Sequence, residues 1–130
     1  MAEDRIGSVM RTDVLRLRPE MAIREAVAQM LDTGSPAAPV VDETDSLLGI
    51  VTQKDCFHSA LYASYYQRWS GTVEERMSRE IHTLDIGTDF VTAAEAFIAR
   101  PYRSYPVMQD GRLAGMLDRS DLLAAFLRFG

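Results

Sequence analysis

Apolar residues along this chain follow two kinds of spacing, and the two kinds alternate. Between Met21 and Asp32 the apolar positions are Ala22, Ile23, Ala26, Val27, Met30 and Leu31. They make one face at a 3.6-residue period, which predicts a helix. Pro19 marks its approach and Gly34 its stop. Ala38 to Val41 is a continuous apolar run short enough for a buried strand, and Leu47 to Val51 is a second, predicted to return antiparallel to it. Asp42 to Ser46 supplies the turn. A second helix is expected from Thr52 or Gln53, and the weak alternation of Val14 to Leu17 suggests a short strand ahead of the first helix. The pattern loosens over residues 64–72, and Val73 to Met77 reads as one helical turn.

The order then recurs. Ile81 to Leu84 reads as a strand, with Thr88 as the cap of a helix whose apolar face is Phe90, Val91, Ala94, Phe97 and Ile98. Pro101 prevents that helix from running past Arg100. Ser104 to Met108 and Leu113 to Leu117 predict a hairpin around Asp110-Gly111, and Leu122, Leu123, Phe126 and Leu127 a final helix. Pro106 lies 67 residues after Pro39, Met77 lies 67 after Met10, and Gly115 lies 66 after Gly49. The one-residue difference falls in the hairpin turn. Elements are thus repeated while a loop changes length. The predicted organisation is a lead-in (1–8), a first repeat (9–66), a linker (67–75) and a second repeat (76–130), each repeat β-α-β-β-α. The fold class is mixed α/β, of the α+β kind. Either unit alone buries little surface, so the two are expected to pack sheet to sheet about a pseudo-twofold axis.

The strand-to-helix corners carry the candidate chemistry. Gly49-Ile50-Val51-Thr52-Gln53-Lys54-Asp55 runs from a buried strand into a helix, with Thr52 at the N-cap position and Asp55 three residues later. A hydroxyl, a carboxylate and free backbone N–H groups converge there, which suits a small polar ligand. The same pair has a purely structural use as a capping box, worth about 1 kcal/mol. Gly115-Met116-Leu117-Asp118-Arg119-Ser120-Asp121 repeats the outline with Asp118 in place of the hydroxyl residue.

Composition narrows the function classes. The chain has 130 residues, 47% of them hydrophobic and 25% charged, within the ordinary globular range. A formal charge of −5 without a basic cluster argues against a nucleic-acid partner. The single cysteine, Cys56, permits no internal disulfide and no zinc site of its own, which fits a reducing cytoplasm. No apolar run follows Met1-Ala2-Glu3-Asp4-Arg5, so no signal peptide is expected. Nor does any run approach the roughly 20 apolar residues of a spanning helix. Cys56 and His58 do not face each other on a helix, and His82 stands alone on its strand, so neither nucleophilic catalysis nor metal binding is indicated. Tyr62, Tyr65, Tyr66 and Trp69 form a stripe if the second helix extends that far, either covering the core between repeats or forming a subunit interface.

With both corners and the repeat in register, the chain resembles a CBS-domain pair, or Bateman module, from about Val9 to Phe126. The resemblance rests on Ala38-Pro39-Val40-Val41 followed by Gly49 to Asp55, and on the matching stretches of the second half. It implies a non-enzymatic regulatory module that requires no cofactor. Such a module binds an adenosine-containing ligand (AMP, ADP, ATP or S-adenosylmethionine) in the cleft between repeats and signals, as in energy sensing, through changed contacts. By resemblance, Thr52 and Asp55 would hold ribose and phosphate at site one, with Val14, Ala37 and Pro39 lining the base. At site two the corresponding residues are Ile81, Ser104, Pro106, Asp118 and Asp121, with Arg103 a candidate phosphate contact. Asp118 departs from the usual Thr or Ser. It accepts hydrogen bonds but cannot donate, and it repels phosphate. Site two is therefore expected to be weak, empty or suited to an uncharged ligand such as adenosine. A homodimer and a regulated protein partner are further expectations of the resemblance. A ligand-free dimerisation module is the alternative.

Overall fold

A computed structural model describes residues 4–129, so Met1 to Ala2 and Glu3 of the expected lead-in, and Gly130, lie outside the described residues. The fold is mixed α+β and contains two tandem repeats, organised as two compact units. Leu15–Ile81 forms the first. The described residues up to Val14, together with those from His82 onward, form the second.

In the first unit, α1 (Ile23–Thr33) buries Ile23, Ala26 and Met30. It ends at Gly34, whose φ of 65° lets its amide turn back to the Leu31 carbonyl. Strand β1 (Ala37–Val41) pairs antiparallel with β2 (Leu47–Thr52), placing Ala37 opposite Thr52 and Pro39 opposite Ile50. A short 3-10 turn (Lys54–Cys56) leads into α2 (Phe57–Tyr66), and the four-residue α3 (Val73–Arg76) follows. Leu17, Ile23, Met30, Val40, Val51 and Val73 are fully buried in one cluster. The strand expected over Val14 to Leu17 is reduced to a single parallel bridge. The Leu17 amide donates to the Pro39 carbonyl (2.8 Å), and the Val41 amide donates to Leu17 (2.9 Å). Pro39 has no N–H to extend that pairing.

In the second unit, β3 (Leu84–Asp85) runs parallel to β4 (Ser104–Gln109), which pairs antiparallel with β5 (Arg112–Asp118). Helices α4 (Phe90–Ala99) and α5 (Arg119–Phe129) accompany this sheet. The hairpin turn sits at Asp110-Gly111, with φ of 51° and 79°, the left-handed pair that a tight two-residue turn demands. Strand β4 is the middle strand although it carries Pro106, which has no N–H to donate to a ladder. The parallel neighbour instead begins one residue past it, at Val107. Leu84 opens β3, which is two residues long and excludes Ile81. Asp89, not Thr88, caps α4: its carboxylate accepts from the Thr92 amide at 2.7 Å.

The segments preceding the two sheets are exchanged. Arg11 pairs with Met116 of β5 in both directions (2.8 and 2.9 Å), while Ser78 pairs with Ile50 of β2 in both directions (2.8 and 3.0 Å). Positions 11 and 78 are equivalent in the repeat, so each lies in the unit built by the other copy. The two compact units divide the chain after Val14 and after Ile81.

The aromatic stripe is not continuous. Gln67 adopts a φ of 55° and ends α2, so Trp69 leaves the helix and packs on the first unit's core. Tyr65 and Tyr66 remain exposed at 81% and 65%, so they do not cover a core within their unit. Tyr66 stacks on Tyr62 with ring centroids 4.6 Å apart.

Candidate functional site

The last residues of β2 build the first corner. Thr52 ends the strand half-buried, and the chain turns directly into the 3-10 turn that holds Asp55. The two residues bond reciprocally. The Asp55 amide donates to Thr52 Oγ1 (3.1 Å), and the Thr52 amide donates to Asp55 Oδ2 (3.2 Å). Two further bonds fix the corner to the start of β1: the Gln53 amide donates to the Pro36 carbonyl (2.9 Å), and its side-chain amide donates to Ser35 (3.0 Å). Asp55 Oδ1 has no partner among the described residues, which leaves an oriented acceptor beside a hydroxyl. Ala37 faces Thr52 across the ladder, and Pro39 lies two residues along the same strand.

The second corner copies this scaffold. Asp118 ends β5 opposite Ser104, and Pro106 stands opposite Met116. The Arg119 amide donates to the Arg103 carbonyl (2.9 Å), the counterpart of the bond from Gln53 to Pro36. Arg103 therefore serves the corner through its backbone, and its side chain is exposed. No reciprocal cap joins Asp118 to Asp121 among the described residues. Arg11 replaces it: Nε donates to Asp121 Oδ2 (2.8 Å), Nη2 to Asp121 Oδ1 (3.3 Å), and Nε lies 3.5 Å from Asp118 Oδ2. Val14 belongs to the second unit and Ile81 to the first, so neither shares a unit with the other residues of its expected site.

Sequence reasoning missed Arg11. Its only signal was position, directly after the Val9-Met10 landmark and equivalent to Ser78. A second missed feature is an apolar groove of about 190 Å³ behind the first corner, lined by Val27, Met30, Leu31, Phe57 and Trp69, with Gln53 as its polar member. Cys56 is buried there, its thiol bonded to the Thr52 carbonyl (3.4 Å) and pushed up by burial and by Asp55. No group of three or more His, Cys, Asp or Glu among the described residues is placed to hold a metal ion, and no described helix is long and apolar enough to cross a membrane.

Burial raises the Asp118 carboxyl above its ordinary 3.8; Arg11 opposes that shift and Asp121 adds to it. A carboxyl raised in the folded state binds its proton more tightly there. Its contribution to stability is thus full below the unfolded pKa and lost as pH rises through the folded one. Asp118→Asn cannot ionise and escapes this loss. Its melting temperature should exceed that of the wild type at pH 7 and match it at pH 3, as followed by circular dichroism; equal melting temperatures at both pH values would contradict the burial cost.

Comparison with known proteins agrees with the repeat. The family model described as the CBS domain matches twice, at residues 6–62 and 73–128. CBSX2 from Arabidopsis thaliana, solved in complex with AMP, is 22% identical with a TM-score of 0.83, covering 96% of this chain and 97% of its own. That likeness shows the fold. An uncharacterized protein of Methanocaldococcus jannaschii is 21% identical over 118 residues, which are 91% of this chain and 41% of that protein. An uncharacterized 17.7 kDa protein of Acidianus ambivalens is 23% identical over 124 residues, covering 95% and 73%. The chain thus spans less than half the length of the methanogen relative.

Proposed function

Because this chain belongs to the CBS-domain family, we propose that it is a regulatory module that binds an adenosine-containing nucleotide at the Thr52–Asp55 corner. The observation that carries this reading is the half-buried Asp55 carboxylate, oriented by the Thr52 amide through Oδ2 with Oδ1 left to accept. A ribose offers two adjacent hydroxyl donors, and a carboxylate held in place accepts them without an ordering cost. The AMP complex of CBSX2 supports an adenine nucleotide as the ligand. Ligand affinity that differs between two arrangements of the chain would be the signalling step. The module acts in the cytoplasm through a protein partner and carries out no turnover.

One set of side chains favours self-association as well. Leu31, Phe57, Leu61, Tyr65 and Tyr66 of the first unit, and Ile98 and Leu127 of the second, are large apolar residues left exposed. Exposed apolar side chains, where they adjoin, mark interaction surfaces. A ligand-free dimerisation module would show these faces and leave the corners as helix caps.

A thermal-shift screen with AMP, ADP, ATP, S-adenosylmethionine, NADH and adenosine separates the two readings. A ligand at 100 times its dissociation constant adds about 2.7 kcal/mol, a shift of several degrees at this size. The sensor reading predicts such a shift with at least one adenosyl ligand and its loss in Asp55→Ala. No shift with any of them, in a protein that is dimeric by light scattering, would leave the dimerisation module.

A further inference from the structure

The two corners share a scaffold but differ in charge at two positions: Asp118 stands where the first has Thr52, and Arg11 where it has Ser78. Beside β2, the exchanged segment presents Ser78, whose hydroxyl donates to the Glu80 carbonyl (3.4 Å) and brings no charge. Beside β5, the equivalent position is Arg11. Backbone pairing with Met116 in both directions fixes its Cα, and its guanidinium takes both oxygens of Asp121 while lying 3.5 Å from Asp118. Asp121 is the counterpart of Asp55, the residue assigned above to the ribose hydroxyls.

We propose that Arg11 is an internal occupant of the second corner, holding Asp121 as a built-in substitute for a ribose and thereby restricting the chain to one nucleotide site. The inference rests on the nucleotide reading of the first corner. Geometry supports it in two ways. A two-pronged guanidinium–carboxylate pair uses the acceptor directions that a vicinal diol would need. The pair is also intramolecular, and Arg11 is already bonded through its backbone to the strand that ends at Asp118. A ligand must therefore displace a partner held at high effective concentration. This changes the electrostatic account of the second corner. Asp118 does not face an incoming phosphate as a bare carboxylate, since Arg11 lies against it; the corner is closed by occupation more than by repulsion.

Exchanging the two residues tests the idea in both directions. AMP is titrated calorimetrically into the wild type, Arg11→Ser, Arg11→Ser/Asp118→Thr and Ser78→Arg, each checked for folding by its melting curve. The double variant rebuilds the first corner's residue set at the second. The wild type should bind one AMP per chain, Arg11→Ser or the double variant should bind two, and Ser78→Arg should weaken the wild-type event at least tenfold. If the wild type binds AMP and neither Arg11 variant gains a second event, the inference is overturned while the nucleotide reading stands. Two AMP per chain in the wild type overturns it equally. If neither the wild type nor any variant binds AMP or any other ligand of the thermal-shift screen, both readings fall together.

Discussion

Replacing Gly115 by alanine should cost the protein about 3 kcal/mol, a drop in melting temperature of roughly 10 °C, while the same change at Gly49 should cost about half as much. The two glycines are equivalent in the repeat, and each lies where an exchanged segment crosses a strand. A Cβ on Gly115 would run into the backbone carbonyl oxygen of Arg11, with the carbonyl carbon only 3.2 Å away. That carbonyl cannot move aside, because it accepts from the Met116 amide in a two-way pairing. Relief requires the whole segment to lift from β5. On Gly49, a Cβ would meet Met77 Cγ at 2.8 Å and the Ser78 carbonyl oxygen at 2.9 Å. Thioether side chains adapt by rotation, so most of this crowding can relax and the backbone contact is the milder of the two. Urea denaturation of both variants measures the difference. Equal losses, or a Gly115→Ala variant within 0.5 kcal/mol of the wild type, would show that the segment does not press on β5 as described.

The exchange behind that prediction was the least legible feature of the sequence, and the reason is physical. A repeat tells which positions are equivalent but not which copy of a segment pairs with which copy of a strand. Met10 and Met77 satisfy either strand equally well on hydrophobic pattern, so Arg11 and Ser78 carried no visible clue to their neighbours. Local signals fared better. The Asp110-Gly111 hairpin and the Gly34 stop depend on the conformational needs of one or two residues, and both stand where the pattern placed them. The reciprocal bonds of Thr52 and Asp55 span only three residues and were equally readable. Val14 to Leu17 misled because alternation does not report how many partners a strand will find, and Pro39 limits Leu17 to one bridge. The aromatic stripe failed at a single residue. Nothing in the Tyr62 to Trp69 spacing announces that Gln67 turns left-handed. The Thr72-to-Glu75 capping box, present in the structure, was written in the sequence in the same form as the Thr52 corner and opens a helix of only four residues.

Asp55→Asn should separate the two uses of the first corner. Asn keeps a carbonyl oxygen that can accept from the Thr52 amide, and its own backbone amide still donates to Thr52 Oγ1, so the cap survives in outline. It loses the negative charge and presents two donors where a ribose also donates. Hydrogen bonds to a charged group contribute about 1.5–3 kcal/mol, so adenosyl-ligand affinity should fall roughly 10- to 100-fold with little change in melting temperature. Asp55→Ala removes both functions. It should lose binding to at least the same extent and also about 1 kcal/mol of stability from the missing cap. The contrast between the variants is what matters. A cap with no ligand role predicts that Asn is nearly silent in every assay and that Ala is destabilised but binds normally. A ligand carboxylate predicts that Asn, though folded like the wild type, is already deficient in binding. Calorimetric titration and melting curves on the same three proteins decide between them. The decision bears on Asp121 too, because Arg11 can stand in for a ribose only if the carboxylate at this position is built to receive one.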